Sequence, residues 1–242
     1  ELKARFDEDN NIQWAKQLEQ AGIHVVYGII GFKTHTKIAL IVRKEKGRLR
    51  NYFHIGTGNY NSNTSKFYTD LGLLSTDPEI ASDLLELFNY LSGFSKQKSY
   101  QKLLVSPSSM RKKFIFLIKR EIKNAEEGKK AEIIAKMNSL VDPEIINLLY
   151  LASDSGVKIS LIIRGICCLY PQRKNLSENI KVISIIGHFL EHSRIFWFCN
   201  NGDNEVFIGS ADWMRRNLDR RIEAVTPICL LYTSPSPRDK CR

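Results

Sequence analysis

The 242-residue chain lacks the long apolar runs that a membrane-spanning helix needs. Its apolar runs, such as residues 38–42 and 114–118, are far shorter than the roughly 18 residues that can cross a bilayer. No apolar stretch follows the first residues, so we expect no secretory signal. An initiating methionine is also absent, so we expect a piece of a longer protein. The sequence therefore excludes a transmembrane protein and favours a cytoplasmic one.

Cysteines are few, proline is scarce, and acidic residues are fewer than basic ones. The five cysteines, at positions 167, 168, 199, 229 and 241, are odd in number and match neither a disulfide framework nor a zinc site. Only 7 prolines and 14 glycines occur, which excludes a collagen-like or low-complexity chain. The 36 Lys and Arg residues outnumber the 26 Asp and Glu residues, giving a formal charge of +10. This balance favours a polyanionic partner.

The last fourteen residues, 229–242, do not continue the pattern of the rest. Residues 229–239 read CLLYTSPSPRD, which matches the translation of a transposase adapter used in sequencing libraries. The alternative is an ordinary flexible tail rich in Ser and Pro. We expect a non-native segment and leave it out of the fold prediction.

Helix and strand patterns alternate along the chain, which is typical of an α/β protein. Apolar spacing predicts a helix at 12–20 that ends at Gly22, followed by a strand at 24–30. Asp-Pro-Glu at 77–79 and at 142–144 predicts two helix starts, each with a capping Asp and a first-turn Pro. Ser106 and Pro107 predict a further helix start by the same reasoning. The basic residues 111–113 are expected on the solvated face of that helix.

A doubled pattern is the most informative feature of the sequence. In each half a glycine follows a helix, and a His-x-basic element then opens an apolar strand. These elements are His35 with Lys37 and His192 with Arg194. A turn and a second strand follow, ending in Gly-Thr-Gly-Asn or Gly-Ser-Ala-Asp. The second unit carries an insertion, with an extra strand predicted at 180–186, and we place the boundary between the units near residue 105.

The repeated element has a chemical meaning. Side chains alternate along a strand, so each unit presents an imidazole and a cation on one side. Phosphoryl transfer needs a nucleophile or proton donor and fixed positive charge around the phosphoryl oxygens. Two such units in the same order predict a paired, pseudo-twofold phosphate site.

This arrangement resembles the phospholipase D superfamily, in which two His-x-Lys units meet and one histidine attacks phosphorus. The diesterases of that superfamily carry an Asp five residues after the Lys. Here Val42 and Cys199 occupy those positions. The missing Asp disfavours a diesterase, because an imidazole needs a carboxylate to orient it.

A closer resemblance is to the type-1 polyphosphate kinase family. It implies an α/β fold of two phospholipase D-like domains, each a mixed sheet flanked by helices. The domains would be residues 1–105, truncated at the N-terminus, and 106–228, truncated at the C-terminus. The segments that carry the resemblance are 2–8 (LKARFDE), 33–37 (KTHTK), 54–61 (HIGTGNYN), 161–167 (LIIRGIC), 190–194 (LEHSR) and 210–217 (SADWMRRN).

The resemblance also implies a reaction and a set of roles. The γ-phosphate of ATP would be transferred reversibly to inorganic polyphosphate through a phosphohistidine, with Mg²⁺ as cofactor. His35 would be the nucleophile. Arg5 would belong to the magnesium site, although an Arg is expected beside the metal–phosphate cluster because Mg²⁺ prefers oxygen ligands. The supporting catalytic residues would be His192, Lys37 and Arg194, and the ATP- or phosphate-binding residues Tyr68, Arg164, His192 and Asn59.

The implied partners are ATP or ADP and inorganic polyphosphate, with a homo-oligomer in the full-length protein. A cytoplasmic location with peripheral contact at the inner membrane face is a further expectation from the family. Two alternatives stay open: a phospholipase D-like phosphodiesterase and a non-enzymatic, basic polyanion-binding module. Nucleic acid is not expected as the partner, because helix-turn-helix, zinc-finger and aromatic-basic RNA signatures are missing from the sequence.

The tail leads to a first prediction. If residues 229–242 are translated adapter, the natural gene continues differently after Ile228. Amplification of the source DNA across that junction should return other codons. Recovery of the same fourteen codons would contradict the prediction.

Overall fold

The computed structural model describes residues 8–95 and 99–228, and these ranges form a mixed α/β structure. The predictions for Arg5 and for the tail at 229–242 lie outside the described residues. The helices are α1 Glu8–Gln20, α2 Pro78–Leu91, α3 Met110–Glu126, α4 Pro143–Asp154 and α5 Arg215–Asp219. The strands are β1 Lys33–Thr34, β2 Ile38–Glu45, β3 Arg48–Gly56, β4 Tyr68–Thr69, β5 Gly72–Ser75, β6 Leu104–Ser106, β7 Glu132–Met137, β8 Lys158–Ile163, β9 Ile180–Ile183, β10 Leu190–Glu191, β11 Ile195–Phe198, β12 Glu205–Gly209 and β13 Arg221–Ile228. None of the described helices is long and apolar enough to cross a membrane.

The larger sheet has the strand order β1-β13-β12-β11-β7-β8-β9, and β6 also pairs with β13. Strands β7, β8 and β9 run parallel, since α4 crosses over between β7 and β8, while β11, β12 and β13 are antiparallel. The core under this sheet contains three packed aromatic rings. The ring centroid of Phe196 lies 4.7 Å from that of Phe114 and 5.2 Å from that of Trp213. All three rings are fully buried.

The smaller sheet is antiparallel, in the order β2-β3-β5, and its inner face packs on α2. Phe53 and Ile55 of β3 contribute to the same buried cluster as Leu84 and Leu87 of α2. Strands β2 and β3 are joined by two residues, Lys46 and Gly47, with φ angles of 48° and 79°. Positive φ at both positions gives the tight hairpin turn that matches the twist of the flanking strands. The hairpin is therefore a closed, regular ladder up to its tip.

Strands of the two halves pair with each other. β1 runs parallel to β13, and β4 runs parallel to β10. Successive residues of β13 also face different cores, since Ile222 and Ala224 belong to the α2 cluster and Val225 to the larger one. The predicted fold class of mixed α/β structure with sheets flanked by helices is confirmed. The boundary near residue 105 stays a prediction, and β6 lies at that point.

Most of the predicted elements are present. The helix expected at 12–20 is α1, and the two Asp-Pro-Glu segments begin α2 and α4. The Asp77 carboxylate accepts hydrogen bonds from the Glu79 and Ile80 amides, and Asp142 accepts one from Ile145. The extra strand of the second unit is β9. Local capping chemistry therefore sufficed to find these helix starts.

The strand predicted at 24–30 is wrong. Residues 23–29 belong to no ladder, and the Ile30 side chain is fully exposed. The Tyr27 hydroxyl instead donates a hydrogen bond to Glu19 of α1. An apolar alternation becomes a strand only where a neighbouring strand satisfies its backbone groups, and here the paired element is the short β1.

The helix start predicted at Ser106 is also wrong. Ser106 is buried in β6, and its hydroxyl donates to the carbonyls of Asn217 and Arg221. Helix α3 begins only at Met110. Pairing of β6 with β13 takes precedence over the local capping signal.

The basic segment 111–113 does not lie wholly on a solvated face. The Arg111 guanidinium donates to Asp142 at 2.6 Å, to Asp219 at 2.7 Å and to Glu144 at 2.8 Å. These contacts join α3 to the start of α4 and the end of α5. Arg111 is thus a structural ion-pair centre.

We predict that Arg111→Met lowers the free energy of unfolding by about 2 kcal/mol, because the Asp142 carboxylate then stays buried without its cation. Lys112→Met is the matched control, since Lys112 is exposed on the same helix. Urea denaturation followed by circular dichroism measures both. Equal losses in the two variants would show that the ion pairs contribute nothing specific.

Candidate active site

His35 follows β1 and is held against β13. Its backbone amide donates to the Ile222 carbonyl at 2.8 Å, and its Nδ1 lies 2.8 Å from the Glu223 carboxylate. Glu223 is fully buried, and it also accepts from the Ser210 hydroxyl and the Asn217 amide. Because three donors fix the carboxylate, the imidazole has one orientation.

His192 has a corresponding partner. Its Nδ1 lies 2.8 Å from Asp70 Oδ1, and the Thr57 hydroxyl donates to the same carboxylate oxygen at 2.6 Å. Burial alone would raise the pKa of Asp70, but the hydrogen bonds from His192 and Thr57 lower it below its usual value. The Tyr68 ring lies against the imidazole, with 4.9 Å between the ring centroids. Tyr68 and His192 are therefore brought together, as the predicted roles require.

The short pairing of β4 with β10 brings Asp70 and His192 to the same point. Glu191 of β10 accepts from the Thr69 hydroxyl at 3.2 Å and from Lys136 at 2.9 Å. Thr69 directly precedes Asp70, and Glu191 directly precedes His192. The contact between these neighbours fixes the histidine and its carboxylate in register.

Sequence reasoning missed both carboxylates. In each half-site a loop hydroxyl, Thr57 or Ser210, donates to a carboxylate, Asp70 or Glu223, that lies 13 residues later in the chain. This equal spacing after the two small-residue loops is the signal that could have found them. Each carboxylate orients the histidine of the other half. We refer to His35 with Glu223 and His192 with Asp70 as the exchanged pairs.

The Asp that the diesterases carry five residues after the Lys is not needed here to orient either imidazole. Val42 lies half-exposed on β2 and Cys199 is buried after β11, and neither supplies a carboxylate. Both imidazoles are nevertheless oriented, by residues distant in the chain. The lack of Asp at these two positions does not argue against diesterase chemistry.

Burial lowers the pKa of both histidines below the usual value. For His35 the Glu223 carboxylate opposes this effect, and for His192 the Asp70 carboxylate opposes it while Arg194 adds to it. Both rings therefore favour the neutral form near pH 7. A carboxylate on Nδ1 assigns the proton to that nitrogen, so Nε2 of His35 carries the free electron pair.

Lys37 lies between the two half-sites. Its side chain is buried, and the ammonium donates to the carbonyl of His35. Burial lowers the pKa of Lys37 to about 7, the charges of Arg194 and Arg221 act in the same direction, and Glu223 and Asp70 oppose them. The cation predicted from the His-x-Lys element is thus present and can lose its proton near neutrality.

Arg194 occupies the corresponding place in the second half-site. Its guanidinium donates to the carbonyls of His192 at 2.9 Å and Thr57 at 3.3 Å, and to Asp212 at 3.2 Å. The side chain is buried. Arg194 therefore connects the His192 strand to the Gly-Thr-Gly-Asn loop of the first half.

Arg164 follows the end of β8 and is exposed. Its Nε donates to the side-chain oxygen of Asn138, and Asn138 donates in turn to the His192 carbonyl at 3.2 Å. Burial of part of the guanidinium lowers its pKa, and the charge of Arg194 acts in the same direction. Asn138 is a buried residue that sequence reasoning missed, and it aims Arg164 at the His192 half-site.

Asn59 and Tyr68 line a cavity of about 310 Å³ beside Asp70. His54 also lines this cavity, and its Nδ1 lies 2.6 Å from the Tyr60 hydroxyl. The predicted phosphate-binding residues of the first half thus lie around a concave surface that adjoins the Asp70–His192 pair. His54 has a local partner of its own, which separates it from the two paired histidines.

No group of three or more His, Cys, Asp or Glu side chains within residues 8–95 and 99–228 could hold a metal ion. The carboxylates of Asp70, Glu223 and Asp212 bind histidine, hydroxyl, amide or guanidinium groups. This part of the chain does not fit a magnesium ion held by protein ligands alone.

The exchanged pairs lead to a prediction. Asp70→Asn should lower the pKa of His192 further and leave that of His35 unchanged, because only His192 loses its carboxylate. Glu223→Gln should do the reverse. Titration of the imidazole C–H signals by NMR measures both, and each variant is the control for the other. Equal shifts of both histidines in either variant would contradict the exchange.

Two family models match the chain. Polyphosphate kinase C-terminal domain 1 matches residues 1–97, and polyphosphate kinase C-terminal domain 2 matches residues 103–232. A polyphosphate kinase of Parasynechococcus marenigrum is 69% identical over 228 residues, covering 94% of this chain and 32% of that protein. One of Synechocystis sp. is 61% identical over 228 residues, covering 94% of this chain and 31% of that protein. The chain thus spans about a third of the length of these relatives.

Comparison with solved structures gives the same family. The crystal structure of polyphosphate kinase from Porphyromonas gingivalis superposes with a TM-score of 0.84 at 40% identity, covering 98% of this chain and 38% of that one. A yeast tyrosyl-DNA phosphodiesterase mutant superposes with a TM-score of 0.54 at 11% identity, covering 87% of this chain and 70% of that one, which shows a shared fold alone. The chain belongs to the polyphosphate kinase family and corresponds to its two C-terminal domains.

Proposed function

We propose that this chain carries the phosphoryl-transfer site of a polyphosphate kinase, which moves the γ-phosphate of ATP reversibly to inorganic polyphosphate. The observation that carries the proposal is the hydrogen bond between His35 Nδ1 and the buried Glu223 carboxylate. It leaves Nε2 of a neutral imidazole free to attack phosphorus. Family membership supports ATP and polyphosphate as the substrates.

In the first step Nε2 of His35 attacks the γ-phosphorus of ATP. The nitrogen–phosphorus bond forms while the bond from that phosphorus to the β–γ bridging oxygen breaks, and ADP leaves with the electron pair. Positive charge develops on the ring, and Glu223 stabilises it through the Nδ1 proton. The buried carboxylate acts on the transition state in this way without leaving its position.

In the second step a terminal oxygen of polyphosphate attacks the phosphorus on His35. The nitrogen–phosphorus bond breaks, its electron pair returns to Nε2, and the chain is longer by one phosphate. The reverse sequence makes ATP from polyphosphate and ADP. The Arg164 guanidinium supplies donors and positive charge for the phosphoryl oxygens in both directions. His192, held by Asp70, adds a donor at Nε2 only when it takes up a second proton.

Magnesium enters the proposal through the nucleotide. When bound to ATP phosphates, Mg²⁺ neutralises part of their charge, and it commonly keeps waters and few protein ligands. The proposed role of Arg5 is to contact these phosphates. The proposed location of the enzyme is the cytoplasm, with contact at the inner membrane face, and the full-length protein is proposed to form a homo-oligomer.

A phosphodiesterase is the second candidate function. The observation that favours it is the pair of carboxylate-oriented imidazoles, since one could attack a diester and the other protonate the leaving oxygen. Hydrolysis of a bis-aryl phosphodiester, followed by release of the aryl alcohol, tests it. A non-enzymatic polyanion-binding module predicts binding without either reaction.

We predict that a chimaera, in which residues 1–228 replace the corresponding region of the Parasynechococcus marenigrum relative, becomes labelled by γ-labelled ATP. The label should be acid-labile and alkali-stable, as a nitrogen–phosphorus bond is. His35→Ala should abolish the label, because it removes the nucleophile.

His54→Ala is the matched control, since His54 bonds to Tyr60 outside the exchanged pairs. It should keep the label. Label that persists in His35→Ala would assign the nucleophile to His192 and reverse the roles of the two half-sites.

A further inference from the structure

A strongly basic surface lies at the far end of the β2–β3 hairpin from the candidate active site. Residues 43–50 contain five basic side chains and one acidic one, Glu45. Arg43 and Arg50 are 63% and 57% exposed. The charge is therefore presented to solvent at a place that the phosphoryl-transfer chemistry does not use. We refer to Arg43, Arg48 and Arg50 as the hairpin arginines.

The ladder register holds the hairpin arginines on one face. Arg43 pairs directly with Arg50, and Glu45 pairs with Arg48. Residues directly opposite in antiparallel strands project to the same side of the sheet. The tight turn at Lys46 and Gly47 closes the ladder beyond them. A regular, closed hairpin thus holds the backbone positions of the three hairpin arginines close together on one face.

This array is electrostatically unfavourable without a ligand. Like charges directly opposite each other destabilise a strand pair, and Arg43 and Arg50 are such a pair. Glu45 lies 3.6 Å from Arg43 and 3.9 Å from Arg50, so a single carboxylate serves both. An anion with several negative groups would relieve the repulsion.

The neighbouring aromatic ring indicates which kind of anion fits. Arg43 lies 6.0 Å and Arg50 5.4 Å from the centroid of the Tyr52 ring, and the Tyr52 hydroxyl donates to Glu45. Because guanidinium groups occupy the surroundings of this ring, it is not presented as a platform on which nucleic-acid bases stack. Guanidinium forks bind phosphate oxygens in pairs without needing a base.

We propose that the hairpin arginines form a second binding site for the polyphosphate chain, apart from the site at His35. The inference rests on the proposed function, since it takes polyphosphate as the substrate. Strand β2 begins directly after Lys37, and Arg43 lies six residues beyond Lys37, roughly 20 Å away at the rise of an extended strand. A long chain can therefore reach both sites at once, whereas tripolyphosphate cannot.

Two linked contacts on one ligand raise its apparent affinity without any change at the first contact. The second site therefore acts as a chain-length selector. It favours long polyphosphate and leaves the binding of short phosphates at the histidine site unchanged.

The test measures binding of fluorescent long-chain polyphosphate and of tripolyphosphate to the 242-residue chain by anisotropy. The Arg43→Gln/Arg50→Gln variant should bind the long chain roughly tenfold more weakly and tripolyphosphate equally well. Glu45→Gln should bind the long chain more tightly, because it removes the single acidic group of the array. Thermal melting checks that each variant is folded.

Lys158→Gln/Lys181→Gln is the matched control, since it also removes two exposed positive charges. These lysines lie on β8 and β9, at the end of the larger sheet away from β1. The control should bind as the wild type does. An equal loss in this control would assign the effect to net charge and overturn the proposal. If the Arg43→Gln/Arg50→Gln variant lost as much affinity for single-stranded DNA as for long polyphosphate, the proposal that the site is specific for polyphosphate would be overturned. Wild-type protein that binds neither phosphate ligand would instead contradict the proposed substrate itself.

Discussion

The site depends on one reciprocal interaction: each half of the chain orients the histidine of the other. His35 of the first half bonds to Glu223 of the second, and His192 of the second bonds to Asp70 of the first. The two parallel pairings between halves, β1 on β13 and β4 on β10, bring these groups into contact. A half taken alone would keep its histidine and lose the carboxylate that orients it.

The position of Glu223 shows why the folded core and the chemistry are inseparable. A carboxylate inside a strand is costly to bury unless donors surround it. Ser210, Asn217 and His35 supply these donors, and the residues on either side, Ile222 and Ala224, fill the core against α2. The strand that closes the core therefore also carries the group that orients His35.

Local signals in the sequence were sufficient for most helices and for both His-x-basic elements. Asp77 and Asp142 cap helices as predicted, whereas Ser106 does not, because a distant strand pairs with it. Glu223 lies 188 residues from His35, and no local pattern joins them. The equal spacing between a loop hydroxyl and its carboxylate in the two halves indicates both carboxylates. This spacing can be recognised only when the two halves of the sequence are aligned with each other.

The two halves of the site have corresponding backbone elements but differ in the cation that follows the histidine. The residue two positions after His192 is Arg194, which carries a buried guanidinium. The residue two positions after His35 is Lys37, with a pKa of about 7. A phosphate anion bound beside Lys37 would raise that pKa, and its binding would then be coupled to uptake of a proton. An amine in place of a guanidinium thus gives the first half a cation whose charge depends on pH near neutrality.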